Sequence, residues 1–379
     1  MKRTILILIT SIFGLSTTAQ TIRIADNNTN KPSGANIYST LQAAINAAVA
    51  DDIVYITPST TSYGNATVGK RITIKGVGFG ITEITPRGST VGILSIQNSS
   101  NGTDNISGLV LTGFSFTDIA FVAGTGGGSY NNILVENLSG GTFNHSTSLP
   151  GSTSDLTIKD SMFTSINVGI VSATNNTIIR NNIVTGMISV ANSSNALITN
   201  NLLLQSTNHV INNGGSSPNI RIENNIISGS TAYAFFSLTN AIVTNNIFYG
   251  VLPNGLYSPF HSNTFSNNLV LNAFTFPPAA SGGPANSGIN NITGTGPLFT
   301  NAPVSGTYNS TYNYTLQAGS PCIGAATTGE NIGPSGGLYP WTGNLTLKPS
   351  NVPVITLFGN SGVVPQNQPV KSNVKAKAN

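Results

Sequence analysis

The residues best placed to do chemistry in this chain are its few charged ones. Of 379 residues, 15 are Lys or Arg and 11 are Asp or Glu, 7% of the whole. Yet Lys75, Glu136, Lys159, Arg180 and Glu223 recur at one position of a repeated line, and Thr112, Thr199, Thr244 and Ser266 fill its other places. Arg221 stands two residues before Glu223, on the same side of an extended strand. A row of this kind offers cations that can hold carboxylates or sulfates in bidentate pairs. An extended acidic polymer is the partner that fits it. The plainer reading is a solvated ladder whose charge pairs are worth about 0–1 kcal/mol each. That reading leaves Lys159 beside Arg180 unexplained.

The lines that carry these residues run from Leu109 to Asn291: GLVLTGFSF, NILVENLSG, DLTIKDSMF, NTIIRNNIV, NALITNNLL, NIRIENNII, NAIVTNNIF and NTFSNNLV. From Thr112 to Ser266 the column advances by 24, 23, 21, 19, 24, 21 and 22 residues. A period near 22 is a solenoid signal. Leu111, Val135, Ile158, Ile179, Ile198, Ile222, Val243 and Phe265 share one apolar position, with another two residues earlier, which is strand alternation. No amphipathic helix separates the lines and no Leu-x-x-Leu-x-Leu pattern recurs. Each coil is therefore strands and turns, and stacking the coils buries a continuous core.

A pair of Asn residues ends most lines. The first of each pair (Asn181, Asn200, Asn224, Asn245, Asn267, with Asn137 and Asp160 at the same place) is expected to form an inward ladder, since an amide both donates and accepts. The second (Asn182, Asn201, Asn225, Asn246, Asn268) is expected in a left-handed turn.

Met1 to Gln20 has the pattern of a secretory signal peptide: Lys2 and Arg3, an apolar Ile5 to Leu15, then Thr17-Thr18-Ala19. Its apolar core is shorter than the roughly 20 residues of a membrane span. Thr21 to Asp26 reads as a strand. Ser39 to Gln42 reads as a capping box opening a short helix with Leu41, Ala44, Ile45, Ala48 and Val49 on one stripe. Ile53 to Ile56 is a strand, Arg71 to Gly76 an early coil, and Ile81–Ile84 and Val91–Ile96 further strands. Gly124 to Tyr130 reads as a Gly-rich loop. Asn144 to Ser154, with His145, reads as a polar insertion.

The stretch TLQAAINAAVADDIVYITP resembles the opening of many secreted right-handed parallel β-helix proteins of the pectate-lyase-like superfamily. GTGPLFTN and YTLQAGSPCIGAA resemble their closing coils, which places Leu316 and Ile323 in the core and makes Cys322 structural. The leader and the Asn-rich coils resemble those of secreted Bacteroidetes proteins, and Asp160-Ser161-Met162 resembles the O-glycosylation tripeptide of that group. The resemblance implies an all-β, right-handed, single-stranded parallel β-helix over about 21–332. Residues 40–50 form its helical cap and 109–292 its regular coils. A C-terminal extension, 333–379, follows, in which Val354 to Phe358 is a strand along the solenoid or part of a tether.

That fold hosts both enzymes and adhesins. In its lyases a basic side chain removes the proton beside a uronate carboxylate while a cation stabilises the enolate. Lys159 is then the candidate base and Arg180 its charge partner, with Glu136 and Glu223 helping to hold Ca²⁺. Substrate-binding candidates are Glu136, Lys159, Arg180, Arg221 and Glu223. Several activities lack their signatures. There is no P-loop, HExxH, GxSxG or DPxxD-type motif, and Asp155, Asp160 and Glu136 make no convincing glycosidase pair. None of His145, His209 and His261 has a sequence reason to reach Cys322. A net charge of +4 without a basic patch argues against nucleic acid, and a single cysteine excludes an internal disulfide. The expected function is a secreted or cell-surface, non-catalytic carbohydrate-binding or adhesive module, without a resident cofactor; the periplasm is the other location. Its partner is an acidic or neutral polysaccharide or cell-envelope glycan. The alternative is a polysaccharide lyase acting by β-elimination.

Overall fold

A computed structural model describes residues 20–78, 88–98, 105–122, 130–145, 153–169, 173–205, 209–214, 217–229 and 233–345. It also describes the backbone of 354–360 and 372–377. The leader, the Ile81–Ile84 strand and most of the Gly-rich loop lie outside these residues.

The chain is a parallel β-solenoid. Among the described residues, a 12-stranded sheet takes one short strand from each coil. Its regular part runs through Val110–Thr112, Leu134–Glu136, Thr157–Lys159, Ile178–Arg180, Leu197–Thr199, Arg221–Glu223, Ile242–Thr244 and Thr264–Ser266, all parallel. A 13-stranded sheet takes the strand after each Asn corner. A 4-stranded sheet (Tyr130–Asn131, Thr153–Ser154, Thr174–Asn175, Ser193–Ser194) closes part of the third side. Leu111, Val135, Ile158, Ile179, Ile198, Ile222, Val243 and Phe265 are fully buried in one core that runs from Ala25 to Val270.

The asparagine pair works the other way round from the expectation. Asn137, Asp160, Asn181, Asn200, Asn224, Asn245 and Asn267 hold φ between 51° and 59°, so the first residue makes the left-handed corner. The second turns inward. Leu138 N donates to Ser161 Oγ, Ser161 N to Asn182 Oδ1, and so on through Asn201, Asn225, Asn246, Asn268 and Asn291, at 2.9 to 3.1 Å. Each inner amide also donates to a strand carbonyl, as Asn225 does to Ile198 O at 2.9 Å. A corner needs one residue with φ > 0 and places the next inside, so the order within the pair decides the role.

The helix spans Leu41–Ala47, with Leu41, Ala44 and Ile45 buried over the open end of the coils. Its cap is Thr40, whose Oγ1 accepts from Ala43 N at 3.1 Å. Gln42 does not complete a capping box; it bonds both ways to the Thr67 backbone. Val49 leaves the stripe because the chain is extended from Ala48 onward, and its side chain is exposed. At the far end, Phe274 and Phe276 pack against the core.

A second core lies outside the coils. Ile183, Leu202, Ile226, Ile247 and Leu269 point outward from the 13-stranded sheet, while their neighbours Val184, Leu203, Ile227, Phe248 and Val270 point in. The outer row is covered by Phe299, Tyr314, Cys322, Ala326, Ile332 and Leu345. Phe299–Asn301 pairs antiparallel with Asn313–Leu316. Leu316 packs against this second core and Cys322 is buried in it, as expected, but Ile323 is 49% exposed, turned out by the bend that buries Cys322. Val354–Asn360 pairs antiparallel with Ser372–Lys377, so this strand forms a hairpin with the tail.

Candidate functional site

The column is continuous in space. Lys75, Thr112, Glu136, Lys159, Arg180, Thr199, Glu223, Thr244 and Ser266 are successive register partners, spaced about 4.8 Å apart by parallel pairing. From Glu136 to Glu223 the charged side chains of the column are only partly exposed, and they are already partnered. Lys159 Nζ lies 2.6 Å from Glu136 Oε2 and 3.6 Å from Asp160 Oδ2. Arg180 Nη1 donates to Asn181 Oδ1 at 2.9 Å, and its guanidinium lies 4.5 Å from the ring centre of Tyr339. Arg221 bonds to Glu223 Oε1 through Nε and Nη2, both at 2.7 Å.

A segment beyond the last regular coil covers the middle of this face. Residues 325–341 run back along the corner asparagines as a strap. Asn267 donates to Ala325 O, Asn224 to Gly333 O, Asn200 to Pro334 O and Gly336 O, and Asn181 to Tyr339 O. Asn245 Oδ1 accepts from Thr327, and Trp341 Nε1 donates to Asn200 O at 2.5 Å. Gly333 and Gly337 let the strap sit close: both have φ > 0, and a Cβ on them would meet Ile247 and Asn224 at 2.6 Å. Thr199 is therefore buried rather than solvent-facing. The face expected to meet a polymer around Glu136, Lys159, Arg180 and Glu223 is open only in part.

An opening lies between strap and sheet. A cleft of about 530 Å³ is bounded by Arg221, Glu223, Ile242, Thr327, Glu330 and Leu338. Arg221 is the cation of its lining, with 56% of its side chain exposed. Ile242 and Leu338 present bare aliphatic surface at its rim, 44% and 75% exposed. Glu330 Oε2 accepts from Gly337 N at 2.7 Å, which ties one carboxylate oxygen to the strap. Thr327, Glu330 and Leu338 were missed by sequence reasoning because they follow the last regular coil. The outward corner amides, each needing a partner, were the signal that something lies there.

The other candidates are placed clearly. Lys159 and Arg180 are adjacent, as a base and charge partner should be, but the Lys159 ammonium is directed at two carboxylates and Arg180 lies under Tyr339. Glu136 and Glu223 stand four coils apart, each bound to its own cation. No cluster of three His, Cys, Asp or Glu occurs among the described residues. These residues do not fit a Ca²⁺ site, which needs several converging oxygens. Asp155 is a corner residue, φ 55°, accepting from Ser154 and Asn176. His145 is not on a polar insertion: it ends the strand Ser139–His145, is fully buried, and bonds to Thr153 Oγ1 at 2.7 Å. Burial holds its pKa down at about 4. Cys322 is buried and its thiol is pushed up to about 12, which suits a packing role. Ser161 of the O-glycosylation tripeptide is fully buried, its hydroxyl donating to Lys159 O at 2.7 Å, so the folded chain cannot present it to a glycosyltransferase.

No known family profile and no curated protein matches the sequence. Solved structures do resemble it in architecture. A pectate lyase matches at a TM-score of 0.42 and 16% identity, over 83% of this chain and 96% of its own. An alginate lyase from Paenibacillus matches at 0.33 and 13%, over 67% and 92%. A mannuronan C-5 epimerase A-module from Azotobacter vinelandii matches at 0.29 and 10%, over 71% and 95%. At these identities no residue role passes from them to this chain. Among the described residues, no helix is long and apolar enough to cross a membrane.

Proposed function

We propose that the protein is a non-catalytic glycan-binding or adhesive solenoid, exported by its leader to the cell surface or beyond, and that the cleft beside Arg221 and Glu223 receives the sugar chain. The observation that carries this reading is the composition of that cleft. A sugar needs hydroxyl partners and an apolar surface for its C–H face, and Arg221, Glu223, Thr327 and Glu330 stand there with Ile242 and Leu338. One cation faces two carboxylates, so the cleft favours a neutral glycan over an acidic one. An acidic chain fits the column only near Arg180, where Tyr339 limits access. The lyase reading is weaker, because Lys159 would have to leave Glu136 and Asp160 before accepting a proton.

Affinity electrophoresis through neutral glycans, pectate, alginate and chondroitin, at low salt where screening is weakest, tests the proposal. Neutral glycans should retard the protein, Arg221→Ala should abolish the retardation, Lys159→Ala should not, and absorbance near 235 nm should stay flat. A rise at 235 nm that disappears in Lys159→Ala would replace this reading with the lyase. Retention by acidic glycans alone, lost in Arg180→Ala, would move the site to the column.

A further inference from the structure

The two ends of the solenoid are finished differently. At the first end, Gln42 on the helix bonds both ways to the Thr67 backbone, at 2.7 and 3.2 Å, and so occupies the edge of the strand Ala66–Val68. Charge stands around that end: Arg23 pairs with Asp52, Arg71 with Asp51, and Lys70 donates to Ala48 O. Covering an edge and charging its surroundings both keep it from pairing with another chain.

The last coil, 284–294, has neither device. Its near side is bonded to the coil before: Phe265 N donates to Ser287 O, Asn267 N to Ile289 O, Ile292 N to Asn268 O and Gly294 N to Val270 O. Gly288, Asn290 and Thr293 alternate with these residues, so their backbone N–H and C=O groups face the far side. Among the described residues no backbone group pairs with them, and Ile292–Thr293 is the end strand of the 13-stranded sheet. The inner ladder stops here as well: Asn268 N donates to Asn291 Oδ1, and no further amide follows. Ser287, Ile289, Asn290 and Thr293 are exposed. Gly288 follows Phe265 in register and brings no side chain to the middle of this end. Phe276 packs on Phe265 there at 6.1 Å, and Phe274 on Phe276 at 5.1 Å, both only partly buried. From 224 to 329 the sequence has no Asp, Glu, Lys or Arg.

We propose that this end is the interface of a weak homodimer, in which the last coils of two copies meet end to end. Backbone groups along an open edge call for another edge, and shape selects which. The edge turns a corner at Asn290, φ 56°, from Ser287–Ile289 on one side to Ile292–Thr293 on the other. A single extended peptide follows only one of these short sides. A second copy of the same coil matches both: a two-fold axis through the corner lays each side antiparallel over the opposite side of the other copy. The contact then has an aromatic centre and a polar rim, and without charge nothing in it repels its own image. The first end cannot take the last coil, because the helix and Gln42 cover it, so the pair is closed and does not grow into a filament. One coil end is a small contact, which makes the dimer weak. None of the sugar-cleft residues takes part, and a dimer carrying two such clefts would grip a polymer more firmly than one.

Sedimentation velocity of the exported full chain over a concentration series tests this, with hydrogen exchange of 287–294 read alongside. Monomer should give way to dimer and to nothing larger, and 287–294 should gain protection as the dimer forms. Ile289→Lys sets a charge against its own image and should weaken the dimer about tenfold or more. Ile22→Lys, at the first end, should leave it unchanged. Ile289 and Ile22 are 66% and 54% exposed, so both variants should keep the sheet spectrum of the parent in circular dichroism. A monomer at every concentration, species growing beyond the dimer, or a dimer lost in Ile22→Lys and kept in Ile289→Lys would each overturn the proposal. Protection of 287–294 that does not depend on concentration would overturn it too, because a segment of the same chain would then cover the edge.

Discussion

Coils before and after Ile178 share one inner core but meet the outside differently. In the earlier coils, the outward place at the start of each 13-stranded-sheet segment holds Ser115, Ser139 and Met162. In the later ones, the same register holds Ile183, Leu202, Ile226, Ile247 and Leu269. Of the earlier three, Met162 alone reaches the edge of the outer core; Ser115 and Ser139 do not belong to it. The later face is apolar on both sides and is covered by the C-terminal segment. The charged column follows the same division. Glu136 and Lys159 sit where no strap passes, Thr199 is buried beneath it, and Arg221 with Glu223 return where the cleft separates strap from sheet. A solenoid of near-identical lines thus becomes two regions, and the outward residues alone decide which is which.

The sharpest way to break this comparison is in the shared interior. Asn225→Ala should remove the partner of Asn201 N and Ile198 O, leaving two buried groups unpaired at about 1–3 kcal/mol each. Asn224→Ala, at the corner, should cost only about 1 kcal/mol through its left-handed φ and its bonds to the strap. Denaturant unfolding compares them; equal losses would mean the inner and outer asparagines do not differ as described.

Next in size is the outer core. Ile247→Ala should cost about 2–4 kcal/mol and speed proteolytic cleavage within 325–345, while Val184→Ala, inside the coils, should destabilise without that selective cleavage. If both variants expose the strap equally, the two cores are one cooperative unit.

Each region carries a histidine whose pKa burial lowers, His145 before Ile178 and His209 after it. His145 is fully buried with its pKa at about 4, below the ordinary 6.5. The unfolded chain therefore binds more protons between these values. Stability is complete above pH 6.5 and declines as pH falls toward 4, by roughly 3 kcal/mol. His145→Gln should make that part of the stability profile shallower, with His209 still contributing; an unchanged slope would mean other groups set it. The smallest effect is expected at the surface: Lys159→Ala should change stability by about 1 kcal/mol or less, readable as a Tm shift of a few degrees at most.

How far the sequence carries this picture depends on the residue. Leu111 to Phe265 alternate with one period and gave the parallel coils and their inner face directly. The exchange of roles within each Asn pair was also legible, and was misread. In the three earlier lines the first place is Gly113, Asn137 and Asp160, all corner residues, and the second is Phe114, Leu138 and Ser161, which belong inside. The doublets Ile183-Val184, Leu202-Leu203, Ile226-Ile227, Ile247-Phe248 and Leu269-Val270 announce a strand buried on both faces, but not what lies over it. The strap could not be read that way. Its contacts are backbone carbonyls meeting corner amides, and a carbonyl leaves no mark in a sequence. The same holds for the cleft, since Glu330 and Leu338 reach it only because Asn224 and Asn200 hold the strap in place.

Those amide contacts reach far along the chain: Asn181 meets Tyr339 and Asn200 meets Trp341. A solenoid without such ties behaves as a one-dimensional stack, in which each coil knows only its neighbours and the last can peel away alone. Here residues 325–341 are fastened across five successive coils, so the stack is clasped rather than merely zipped. Fraying from the C-terminal end must undo the clasp before the coils beneath it can come off. During synthesis the coils can stack as they emerge, but their outer apolar row stays wet until the last forty or so described residues arrive to lock it.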